Sequence, residues 1–179
     1  MMRTLLERLK GTKATGQSFS SELEAAIAER LPKLDPARRR ALAAFAGLLG
    51  SAARADLDFS ADEEARIRAI LVSFAELPKP EAAVVAGVIR EAAPALAGLE
   101  DDAYIKILNE EAPIDQKKLI LSCLFAVAAA DEEISSEENE RIRQISVSLK
   151  LSQVDFFAVR SLYRDKLSVL KNLPGASGG

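Results

Sequence analysis

Two stretches of this chain repeat each other, and the repeat restricts the fold more than any other feature. ADLDFSADEEARIRAI begins at Ala55 and ADEEISSEENERIRQI begins at Ala130, an offset of 75 at which 8 of 16 positions are identical. Chance matching in a chain of ordinary composition would give about one or two identities. The identical pairs include Asp56/Asp131, Ser60/Ser135, Glu63/Glu138, Ile67/Ile142 and Ile70/Ile145. Such a repeat requires two equivalent structural units, each of which buries an equivalent face.

The repeated residues specify helices. Ser60 and Ser135 stand three residues before Glu63 and Glu138, the S-x-x-E spacing in which a serine hydroxyl and a glutamate carboxylate close a helix N-terminus reciprocally. Behind the caps, Ile67, Ile70, Leu71 and Phe74, and likewise Ile142, Ile145 and Leu149, fall at helical spacing on one face. Asp62 precedes Arg66, and Glu137 precedes Arg141, by four residues, the favourable acid-to-base order on a helix. Each repeat reads as helix, short acidic loop, capped helix.

Further helix signals surround these units. Ser21 and Glu24 predict another capped helix, ending at Pro32, and Asp35-Pro36 predicts a start for a helix over about 36–54. Leu77-Pro78-Lys79-Pro80 forces a break, and a helix then runs to about Ala93, with Pro94 and Gly98 beyond it. The second half repeats this order: a short helix over about 102–110, one from near Asp115, one over about 136–149, and a last helix capped by Ser152 and Asp155 with Phe156, Val159, Leu162 and Leu167. No segment alternates with period two. Apolar residues make up 49% but aromatic residues only 5%, a balance that suits close-packed helices better than a sheet.

The expected fold is therefore all-α, with about eight helices in two sequence-related helix–loop–helix–helix halves forming one helical domain. That domain spans 20–172, with repeat one at about 36–93 and repeat two at about 115–171. Residues 1–19 are expected to be a flexible or short amphipathic segment, and 173–179 (PGASGG and the leucine before it) a disordered tail.

Composition removes whole classes of chemistry. The chain has no histidine, so serine and cysteine triads, histidine-ligated zinc and most general-base schemes at neutral pH are excluded. No nucleophile–base pair is visible, and the expectation is a protein without enzymatic activity. Cys123 is the single cysteine and lies in the apolar run LILSCLFAVAA, where an inert buried thiol is the expected state. A lone cysteine and the lack of an apolar leader in MMRTLLERLK fit the cytoplasm. The net charge of −3 argues against a general nucleic-acid binder. Arg38, Arg39 and Arg40 are consecutive, so they spread around a helix instead of forming one patch. The basic N-terminal stretch, with Leu5, Leu6 and Leu9, offers an anionic membrane little apolar burial, so membrane contact is at most peripheral.

The two loops hold the recurrent acidic pattern: Asp56, Asp58 and Glu63 in the first, Asp131, Glu133 and Glu138 in the second. Carboxylates at the end of one helix and in the first turn of the next can converge on a hard cation such as Ca²⁺ or Mg²⁺. The same acids also serve as helix caps with no metal at all. The loops are not EF-hands, because the twelfth positions counted from Asp56 and Asp131 are Ile67 and Ile142.

At these loops the chain resembles the tellurite-resistance TerB-like family of small helical bacterial proteins. The resemblance is carried by Ala130-Asp131, Ile134, Ser135, Glu138, Ile142-Arg143, Leu151-Ser152 and Asp155-Phe156, with a looser match through Ala55-Asp56, Phe59, Ser60, Glu63 and Ile67-Arg68. It implies a stress-associated helical interaction module with protein partners, working in the cytoplasm or at the inner face of the membrane. It also implies divalent metal binding by Asp131 and Glu138 and by Asp56 and Glu63, to which the acidic pattern of the loops adds Glu133 and Asp58 as secondary candidates. The family's glycine after the motif aspartate is replaced by Leu57 and Glu132. The alternative expectation is a metal-free scaffold or membrane-peripheral adaptor.

Overall fold

Helix spacing and caps translate directly into the architecture of a computed structural model that describes residues 16–52, 61–73, 75–96, 101–129 and 133–167. The described residues form eight α-helices: α1 (Gly16–Arg30), α2 (Pro36–Ala52), α3 (Ala61–Ser73), α4 (Lys79–Leu96), α5 (Asp102–Glu111), α6 (Ile114–Ala128), α7 (Ser136–Ser148) and α8 (Gln153–Ser161). A 3₁₀ turn at Arg164–Lys166 follows. Among these residues β pairing is limited to one isolated bridge between Ile134 and Leu167. The all-α expectation holds.

The chain divides into two compact units, Met1–Ala112 and Pro113–Gly179. In the first, α2 is the central helix and packs against α1, α4 and α5, while α3 packs against α4. Its residues from Leu42 to Leu49 are apolar or glycine, and Leu42, Ala43, Ala44, Phe45, Ala46, Leu48 and Leu49 are all buried. A helix apolar on every side is stable only when covered on every side. Asp35 caps α2, accepting from the Arg38 amide at 3.1 Å. In the second unit, α6 packs against α7 and α8. An aromatic cluster joins them, with Phe125 5.9 Å from Phe156 and stacked on Tyr163 at 5.5 Å between ring centroids. The Tyr163 hydroxyl donates to the Ser122 carbonyl at 2.9 Å.

Helices α3 and α7 have the same bounds at the offset of 75, and Ile67/Ile142, Ile70/Ile145 and Leu71/Ser146 are buried pair by pair. Leu149 is buried, while its counterpart Phe74 lies outside the described residues. After these helices the offset falls to 74, because the first connection is one residue longer. Leu77 N–H donates to the Leu71 carbonyl, and Leu151 N–H to the Ser146 carbonyl. Each connection turns through one left-handed residue, Glu76 (φ 52°) or Lys150 (φ 62°). At Lys150 the paired bonds Leu151 N–H to Ser146 and Lys150 N–H to Val147 close the helix in a Schellman arrangement. Beyond the turns, Ala82/Phe156 and Val85/Val159 are again buried in pairs.

Three boundaries differ from expectation. Helix α1 starts at Gly16, so Ser21 lies inside it and does not open it; no proline interrupts Gly16–Ser20, and serine–glutamate spacing of three also occurs within helices. Helix α4 runs through Pro94 to Leu96, since a proline in the last turn forfeits one hydrogen bond without stopping an alanine-rich helix. Helix α5 belongs to the first unit and does not open the second, because its buried face of Tyr104, Ile105 and Leu108 packs there. Arg40 of α2 also reaches Glu110 (3.3 Å) and Glu111 (3.1 Å). The expectations for residues 1–15 and 173–179 lie outside the described residues. No described helix is long and apolar enough to cross a membrane.

Candidate functional site

The α6–α7 connection is built from its two anchored ends. Helix α6 ends with Ala129 in a helical conformation. At the other end Ile134 is buried and bridges the backbone of Leu167, itself buried. Ser135 then turns the chain into α7. The Glu138 amide donates to Ser135 Oγ at 3.1 Å, and the Ser135 amide donates to Glu138 Oε2 at 2.8 Å, the reciprocal cap that the spacing predicts. Glu138 thus has a definite structural job at a helix terminus whose dipole favours its charge.

The remaining candidate ligands are distributed as follows. Glu133 is exposed beside this cap. Asp131, Asp56 and Asp58 lie outside the described residues, and Glu63 lies in α3 with its side chain undescribed. Among the described residues no cluster of three or more acids, cysteines or histidines could hold a metal ion.

A second capping box opens α8 and is tied to α6 by an ion pair. The Asp155 amide donates to Ser152 Oγ at 3.1 Å, while Asp155 Oδ2 accepts from the Ser152 amide (3.2 Å) and hydroxyl (2.6 Å). Lys118 of α6 reaches the other carboxylate oxygen at 2.8 Å. The hydrogen bond from Lys118, with those from Ser152, pushes the Asp155 carboxyl down to about 2. A depressed folded value stabilises the fold above the unfolded value, about 3.9, and that contribution is lost as pH falls toward the folded value. An NMR titration of Asp155 is expected to give a midpoint near 2 in the native chain and a higher one in Lys118→Met. The acid unfolding of that variant should depend less on pH between about 4 and 2. A native midpoint near the ordinary aspartate value would disprove the latch.

Chemistry elsewhere is muted. Cys123 is buried, and burial pushes its thiol up to about 12, far from the thiolate a nucleophile needs. The three consecutive arginines part company: Arg38 donates to the Ala75 carbonyl (3.2 Å), Arg39 faces Glu24 (3.6 Å), and Arg40 meets Glu110 and Glu111.

What sequence reasoning missed is an apolar surface. Val154 is 78% exposed, Phe157 57% and Leu162 75%. At helical spacing Val154 and Phe157 share the face of α8 turned away from the buried Phe156 and Val159, and Leu162 is the residue that ends the helix. Leu162 was expected in the core with them and is not: it is the residue at which α8 ends, about a third of a turn around from Phe156. No local signal marked it, because an apolar residue reads the same in a core as on a contact surface. Ile114, Leu119 and Val147, the other exposed large apolar residues among those described, also lie in the second unit.

Fold and caps together define an all-helical module. The family model described as tellurite resistance protein TerB matches residues 39–161. More than half of the chain is covered, across both units, and the chain belongs to this family. No curated protein matches it. No solved structure matches it either.

Proposed function

We propose that the chain is a non-enzymatic TerB-like interaction module that docks a protein partner on the exposed face of α8. The observation that carries this reading is the concentration of exposed apolar side chains in the second unit, with Val154 and Phe157 on one face of α8 and Leu162 at its C-terminal end. Single exposed apolar residues are ordinary, whereas several on one face mark contact surfaces. The absence of histidine from the sequence and the buried, protonated thiol support a non-enzymatic role. The test compares the native chain with a Phe157→Asp/Leu162→Asp variant by crosslinking in the cells of origin. Both positions are exposed, so circular dichroism should be unchanged. A partner captured by the native chain and lost from the variant supports the reading; equal capture by both rules this face out.

The finer proposal is a divalent cation at the α6–α7 loop, held by Asp131 with Glu133 and Glu138. It is favoured by the anchoring of both ends of the loop, at Ala129 and at Ile134–Ser135, and by the hard oxygen donors that the loop carries. Asp56, Glu63 and Asp58 form the corresponding set in the first repeat. A ligand that binds only the folded state stabilises it by mass action. Millimolar Ca²⁺ or Mg²⁺ is therefore expected to raise the melting temperature, and Asp131→Asn to abolish the rise. Glu138→Ala should cost about 0.5–2 kcal/mol even without metal, the scale of a lost cap. No metal-dependent shift in the native chain would leave a metal-free scaffold or membrane-peripheral adaptor as the function of these loops.

A further inference from the structure

We draw no further inference here: the strongest candidate, the exposed apolar surface of α8 formed by Val154 and Phe157 with Leu162 at the helix end, already belongs to the docking site proposed above, and nothing in the structure shows what covers it.

Discussion

Ile142→Ala is expected to destabilise the protein by about 2–5 kcal/mol, the usual cost of truncating a buried isoleucine. Ile142 lies on the inner face of α7 with Ile145 and Ser146 and is almost fully buried. Because Ser146 adds little apolar contact where the first repeat has Leu71, the second unit depends more heavily on its two isoleucines. Urea unfolding followed by circular dichroism measures the loss. Ile142→Val should cost only about 0.5–1.5 kcal/mol. Ile67→Ala, the equivalent change in the first unit, should also fall in the larger range. A loss below about 1 kcal/mol at Ile142 would be too small for a buried isoleucine and would overturn the paired-core description.

Gly47→Ala is expected to destabilise by about 1–3 kcal/mol, the cost of overpacking, although helix propensity alone favours alanine by about 1 kcal/mol. The sign of the result therefore separates the two effects. A Cβ placed on Gly47 would overlap the Tyr104 ring, 2.5 Å from Cζ and 2.8 Å from Cδ1. Tyr104 is fully buried, so its ring has no open side toward which to swing. Among the described residues its hydroxyl has no hydrogen-bond partner, and burial raises its pKa, with the Asp101 charge adding to the effect. Replacing the ring should relieve the clash: the double variant Gly47→Ala/Tyr104→Leu is expected to lose less stability than the two single changes summed. Denaturant unfolding of all four proteins gives that coupling directly. A net gain from Gly47→Ala would show that α2 and α5 do not approach this closely.

The parts of the fold that were legible in the sequence share a short range. The α3 and α7 boundaries, the inward isoleucines and the caps at Ser135 and Ser152 all depend on residues no more than a few positions apart. Periodicity failed where two positions compete for one face. Leu162 continues an apolar series but falls outside the buried arc of α8, and Ser21 imitates a cap inside α1. In the candidate site, the role of Glu138 as a cap was legible because its partner is three residues away. The exposed face of α8 was not legible. An apolar residue carries no local mark that distinguishes core from contact surface.

The sequence by itself determined that this chain is helical, that it contains two copies of one helix–loop–helix pattern, and where several of those helices begin. Those properties follow from backbone hydrogen bonds three or four residues long and from side chains that cap them. Only the tertiary structure decided which unit receives α5, through contacts such as Gly47 with Tyr104 and Arg40 with Glu110 and Glu111. It also decided that α2 is covered on every side from Leu42 to Ser51, whereas Val154 and Phe157 of α8, and Leu162 at its end, stay in solvent. Burial depends on which distant segments arrive at a face, and no local spacing encodes that arrival.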